Sequence, residues 1–362
     1  MMLSKLADII TEYSVNVKEG DLVFVQSSFL SSPLIEKIYK NLILKGANVE
    51  VRLEPENISD IYMKYASEKQ LKYVSPVRKY LMENIDIFIN IWADYNTKSM
   101  NNVDPQRIAT RVAANTELNR IFMEREAKGE LQWVLAPYPT HAMAQEAGMS
   151  LLEYREFVYG TLFLDKDHPV EEWKKISREQ EKIVDYLNKK DELRFVGEDT
   201  DLTLSVKGRR WINSDGKKNL PDGEVFTGPV EDSANGKIRF TYPGIYMGKE
   251  IEDIQLRFRD GEVIEAKAGK GEELLKKLLE TEGAKRIGEI AIGTNYGVNR
   301  FTKNMLFDEK MGGTMHLALG RSIPESGGKN FSSIHWDLLK DMKNGEVYAD
   351  GELFYKNGKF LI

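Results

Sequence analysis

The sequence predicts an α/β protein in two parts. An N-terminal, open, mostly parallel α/β domain is expected over residues 1–190. A β-rich α+β domain is expected over residues 191–362. Three observations predict this. The first half carries short, nearly continuous apolar runs separated by long helical stretches, which suits strands buried on both faces and joined by crossover helices. The second half is dense in hairpin-type turn dipeptides. The chain has 362 residues, roughly twice the usual length of one domain.

In chain order, Leu3, Leu6, Ile9, Ile10 and Tyr13 recur at helical spacing and open the first domain with a helix. The runs DLVFVQSS (21–28), NVEVRL (48–53), IDIFINIWA (85–93) and LQWVLAPYP (131–139) are the predicted strands. Helices are expected over 33–44, 77–82 and 111–128. The first strand is not followed by G-x-G-x-x-G, so the dinucleotide-binding version of this fold has no support. A charged helix over 170–190, with Trp173, Ile176, Ile183, Val184 and Leu187 on one stripe, reads as a solvated helix leading into a linker.

Beyond residue 193 the turn signals are Ser214-Asp215-Gly216, Asp222-Gly223, Asn235-Gly236, Asp260-Gly261, Asn344-Gly345, Asp350-Gly351 and Asn357-Gly358. Short alternating runs lie between them, and one helix is expected over 272–281. The result is an antiparallel β-rich domain.

Composition narrows the function. Asp and Glu outnumber Lys and Arg 57 to 51, a formal net charge of -6. That argues against a nucleic-acid partner held by counterion release. With no cysteine, disulfides, Cys-ligated zinc, iron–sulfur clusters and thiol nucleophiles are excluded. No run approaches the apolar length of a membrane span. The N-terminus lacks the unbroken apolar run of a signal peptide, so a cytoplasmic protein is expected, with no membrane partner. AGKGEELLKKL lacks the Gly and Ser/Thr positions of a phosphate loop. SVKGRRW reads as a solvated hairpin, and no G-x-S-x-G supports a serine nucleophile.

Four histidines remain: His141, His168, His316 and His335. His168 reads as a loop residue. His335 and Asp337 stand two apart in SSIHWDLL, so on a strand they share one face. An imidazole and a carboxylate placed so suit a divalent metal. From this pair alone, a surface His–Asp pair is the better reading. His316 in GGTMHLALG alternates with Leu317 and Leu319, and Gly312 and Gly313 would let backbone approach whatever His316 touches. Glu309 lies seven residues upstream.

Glu289 interrupts the apolar run RIGEIAIG, where burial costs several kcal/mol unless the carboxylate is paired or metal-bound. A solvent-facing edge is the alternative. Glu224 enters an apolar run after a turn, and the same argument applies more weakly. Three glutamates, two histidines and an aspartate match the donor mixture of a two-metal hydrolase, but no H-E-x-x-H fixes it.

GEVFTGPVEDSANG, RIGEIAIG, LFDEKMGGTMHLALG and SSIHWDLL, in that order, resemble the aminopeptidase T family of metallopeptidases, family M29. AQEAGMSLLEY and SVKGRRW extend the resemblance over most of the chain. The resemblance implies a C-terminal metallopeptidase domain with Glu224, Glu289, Glu309, His316, His335 and Asp337 as metal ligands. It also implies two divalent ions per subunit, zinc or cobalt in the first place and magnesium or manganese otherwise. Peptides with a free N-terminus are the implied substrates, and a homodimer the implied assembly. The family pattern has a catalytic tyrosine seven residues after the first histidine. Here that position is Ile323.

The expected function is therefore release of N-terminal residues from short peptides by a water activated between two metal ions. Glu289 is the candidate general base. The rival reading is a metal-binding member of the same family with catalysis impaired by Ile323.

Overall fold

The structure is a computed structural model and describes residues 1–246 and 248–362. The chain divides into two compact units. One contains residues 1–173 with 216–220, the other 174–215 with 221–362. The division falls within the helix Pro169–Leu187. The composition change near residue 190 lies at the end of that helix.

In the first unit, β1 (Leu22–Ser28), β2 (Asn48–Glu54), β3 (Ile87–Trp92) and β4 (Gln132–Pro137) form a sheet in the order β2-β1-β3-β4. Every pairing in it is parallel. Val23, Val25, Ile87, Ile89, Ile91, Val134 and Ala136 are buried, as near-continuous apolar strands under crossover helices require. The expectation of burial on both faces fails for NVEVRL. That strand lies at the sheet edge and exposes most of its residues, and its alternating Glu50 and Arg52 are an edge pattern. The expected helix over 111–128 is two helices, Pro105–Ala114 and Thr116–Ala127, broken at Asn115.

The second unit holds two larger antiparallel sheets. Its strands are β5 (Glu192–Gly197), β6 (Thr200–Ser205), β7 (Ile212–Ser214), β8 (Glu224–Thr227), β9 (Asn235–Arg239), β10 (Gly244–Tyr246), β11 (Lys249–Ile251), β12 (Gln255–Arg259), β13 (Glu262–Lys267), β14 (Ile287–Gly293), β15 (Thr314–Gly320), β16 (His335–Asp341), β17 (Glu346–Ala349), β18 (Glu352–Lys356) and β19 (Lys359–Phe360). Eight strands run in the order β13-β12-β9-β6-β5-β17-β18-β19, and five in the order β16-β15-β14-β8-β7. Both sheets contribute to one apolar core. Leu193, Phe195, Leu202 and Leu204 come from the larger sheet; Val225, Ile290, Ile292, Met315, Leu317, Trp336 and Leu338 come from the smaller.

Three turn signals behave as expected. Asp260-Gly261, Asp350-Gly351 and Asn357-Gly358 each link neighbouring strands with both residues at positive φ, the backbone that primed hairpin turns need. Asn235-Gly236 is not a turn, because it opens β9. Gly236 is required there because a Cβ would sit 2.1 Å from the Asp201 carbonyl oxygen on the paired strand. Among the described residues, no helix is long and apolar enough to cross a membrane.

Candidate metal centre

The smaller sheet of the second unit has two faces of opposite character. Along β14, Ile290 and Ile292 point into the core while Glu289 and Ala291 point away from it. Along β15, Met315, Leu317 and Leu319 are core residues and His316 and Ala318 take the other face. Trp336 and Leu338 do the same on β16, leaving His335 and Asp337 opposite, and Val225 leaves Glu224 opposite on β8. Strand alternation alone therefore gathers five of the six expected residues on one face. Registry then aligns them. Glu289 and Asp337 both stand opposite Ala318, one from each neighbouring strand, and the small alanine leaves space between the carboxylates. A bulge between Ile287 and Glu289 lets Ile287 join the core despite its matching parity.

The sixth residue, Glu309, follows the one-turn helix Met305–Asp308. Ligand atoms of Glu309, His316 and Asp337 all lie within 4.8 Å of one another. His316 Nε2 is 3.4 Å from Glu289 Oε1, and His335 Nε2 is 3.3 Å from Glu289 Oε2. His335 Nε2 is also 3.4 Å from Asp337 Oδ1, and His316 Nδ1 is 3.7 Å from Glu224 Oε2. The six side chains thus form one connected cluster. Glu289 is buried on an inner strand rather than at a solvent-facing edge, and His335–Asp337 is not a detached surface pair. His141 is exposed at the start of the helix His141–Glu146, and His168 precedes the helix Pro169–Leu187.

Backbone carbonyls set the direction of both imidazoles. His316 Nδ1 lies 3.2 Å from the Glu309 carbonyl oxygen and His335 Nδ1 lies 2.7 Å from that of Arg321. A carbonyl can only accept, so both Nδ1 atoms donate and both Nε2 atoms face the carboxylates. That arrangement presents Nε2 as a ligand nitrogen. Glu224 Oε2 is buried and accepts no hydrogen bond, and buried Asp337 Oδ1 has only the long 3.4 Å approach of His335 Nε2. Such an atom is costly unless a cation meets it. Oriented imidazole nitrogens with buried, unsatisfied carboxylate oxygens therefore fit a divalent cation.

The charges of the cluster shift one another's proton affinity. Burial alone would lower the histidines. The Glu289 hydrogen bond, with the charges of Glu224 and Asp337, outweighs it and raises His316 to about 9. Hydrogen bonds to Asp337 and Glu289 likewise overcome burial and raise His335 to about 11. Burial would raise Glu289, but hydrogen bonds from the two histidines hold it down at about 2. Burial pushes Glu224 up, against the pull of Lys310.

Lys310 was not singled out by the sequence. Its side chain is buried, with Nζ 2.5 Å from Glu224 Oε1, 2.7 Å from Glu309 Oε1 and 3.5 Å from Asp222 Oδ1. Burial would lower it, but these carboxylates, Glu224 first, hold it well above the usual lysine range. Gln180 was also missed, because its helix reads as solvated. It is buried, and its Nε2 lies within hydrogen-bonding distance of Asn213 Oδ1 and the carbonyl oxygens of Ser214 and Glu224. Its Oε1 accepts from Thr294. Gln180 thereby ties the start of β8, and so Glu224, to its surroundings. The expected role of Gly312 also changes: a Cβ there would strike the Tyr296 ring at 2.5 Å, so this glycine accommodates Tyr296 rather than the histidine.

The family model for thermophilic metalloproteases, M29, matches residues 1–360. The chain belongs to that family. This M29 protein is thus a metallopeptidase, a hydrolase that uses divalent metal. It is 31% identical to aminopeptidase 2 of Geobacillus stearothermophilus, over 99% of this chain and 98% of that protein. It is 27% identical to aminopeptidase T of Thermus aquaticus, over 97% of this chain and 94% of that protein. Among solved structures, wild-type AmpT from Thermus thermophilus matches with a TM-score of 0.85 and 23% identity, over 100% of this chain and 99% of that one. It has the same fold, in agreement with the expected α/β and β-rich architecture.

Proposed function

We propose that this M29 enzyme is an aminopeptidase acting on short peptides. In this reading two divalent ions lie among Glu224, Glu289, Glu309, His316, His335 and Asp337. The observation that carries the reading is the convergence of both histidine Nε2 atoms on the two oxygens of one buried carboxylate, Glu289. When bound, the ions lower the pKa of a water and polarise the scissile carbonyl. The chain's own groups do the rest. Backbone carbonyls of Glu309 and Arg321 fix the imidazoles. Glu289 is the base that takes the proton from water and returns it to the leaving amine.

The M29 family, and relatives named as aminopeptidases, support this reading. Zinc or cobalt suits the imidazole nitrogens, while magnesium and manganese are the oxygen-preferring alternatives. A cytoplasmic homodimer remains part of the proposal on the family resemblance. The test is hydrolysis of amino-acid p-nitroanilides by protein stripped with EDTA and then resupplied with Co²⁺ or Zn²⁺. Activity should vanish and return, and N-acetylated substrates should stay intact. Full activity in excess EDTA overturns the proposal.

Ile323 favours a second reading, a metal-binding member with impaired catalysis. It is a half-buried aliphatic residue directly before the turn Pro324–Ser326, with no side-chain donor. Normal two-ion binding with very slow turnover would support this second reading over the first.

A further inference from the structure

We propose that Lys310 is a positioning residue of this metal centre. Its ammonium takes one oxygen from each of Glu224 and Glu309, so that the remaining carboxylate oxygens are presented to the ions. The proposal rests on the ligand reading above. Nζ holds Oε1 of both glutamates at 2.5 and 2.7 Å, and Asp222 sits behind it at 3.5 Å. The other oxygen of Glu224, Oε2, is buried, accepts no hydrogen bond and faces the His316 ring at 3.7 Å. A glutamate bound through one oxygen has lost the rotation that would let it chelate through both. Its free oxygen is then aimed before any ion arrives. Hydrogen bonds of this kind to ligand carboxylates typically account for 10–100-fold in metal affinity.

Charge makes the proposal sharper. Asp222, Glu224, Glu289, Glu309 and Asp337 supply five negative charges when ionised, and Lys310 supplies one positive charge. With neutral histidines as ligands, the remaining four charges match two divalent ions. Removing the ammonium leaves a surplus negative charge. If Lys310 acted through charge alone, its loss would tighten metal binding. If it acts by orienting Glu224 and Glu309, its loss weakens binding. The two roles predict opposite signs.

The experiment titrates metal-free, full-length protein with Zn²⁺ against a chromogenic chelator, and records the visible spectrum of the Co²⁺ form. Wild type and Lys310→Met, Lys310→Gln and Lys310→Arg are compared, with circular dichroism showing which variants fold. Lys310→Met should bind Zn²⁺ about 10–100-fold more weakly and show an altered Co²⁺ spectrum. Lys310→Gln replaces the ammonium by a neutral amide whose N–H groups bind carboxylates more weakly, and carries the same direction of change should the methionine variant not fold. Lys310→Arg keeps the charge and should bind more tightly than Lys310→Gln. Unchanged or tighter binding in a folded methionine or glutamine variant overturns the proposal, as does a glutamine variant that binds better than arginine. Wild type that takes up no Zn²⁺ overturns the ligand reading itself, and this proposal with it.

Discussion

At the scale of single residues, the histidines and Ile323 make the clearest demands. The neighbouring carboxylates favour protonation of both imidazoles when no ion is bound, so metal uptake displaces protons. Because His316 and His335 are raised to about 9 and about 11 and Glu224 to about 8, uptake at pH 7 should release about two protons from the imidazoles and up to one more from Glu224. Calorimetry in buffers of different ionisation heat measures this, and affinity should climb as pH rises toward 9. The same shifts govern folding of the metal-free chain. The stabilisation from the charged histidines is complete below pH 6.5 and fades as pH rises through about 9 and then about 11. Glu289, held at about 2, contributes above pH 4.5 and loses that contribution as pH falls through about 2.

Ile323 yields a kinetic prediction. A missing transition-state donor typically costs on the order of 10²–10³ in kcat, about 3–4 kcal/mol. Ile323→Tyr should therefore raise kcat while leaving metal affinity nearly unchanged. Steady-state kinetics with parallel metal titration check it, and an unchanged or lower kcat rejects the missing-donor account. His335→Ala should abolish turnover in a chain that still folds, because His335 lies at the partly exposed end of β16.

At the scale of elements, Gln180 is the informative case. It is a polar residue on a helix face, yet its amide offers two hydrogens to Asn213 Oδ1 and the carbonyl oxygens of Ser214 and Glu224. Gln180→Ala strands buried acceptors, which costs about 1–3 kcal/mol. It should also loosen the start of β8 and weaken metal binding through Glu224. Chemical denaturation and a Zn²⁺ titration measure the two effects separately. Nothing in 170–190 distinguishes this glutamine from its solvated neighbours, since its partners are distant in sequence. Lys310 was hidden in the same way: in LFDEK it looks like a surface lysine, and only the approach of β8 reveals its burial.

The strands of the smaller sheet were more legible, because apolar alternation in RIGEIAIG and MHLALG marks both faces at once. The bulge before Glu289 and the edge position of NVEVRL depend on pairing partners, which local composition does not name. Asn235-Gly236 misled for a related reason: a glycine needed for close strand approach and one needed for a tight turn look alike in sequence.

For the whole molecule, metal and fold are coupled. A cation bound by the native chain alone stabilises it by about 2.7 kcal/mol at a concentration of 100 times Kd. The metal-loaded enzyme should therefore melt above the EDTA-treated form, with a gap that grows with metal concentration. Calorimetric scans at two Zn²⁺ concentrations test this, and identical melting curves would show that the ions do not bind the folded protein.

The two-faced sheet has a consequence for how the chain finds its native state. A slip of β15 by one residue against β14 would thrust His316 into the oily interior and turn Leu317 toward the carboxylates. The same slip in β16 would bury Asp337 among Ile290 and Leu317. The ligand face thus acts as a proofreading device for strand assembly, since each misaligned pairing strands a charge where neither water nor metal can reach it.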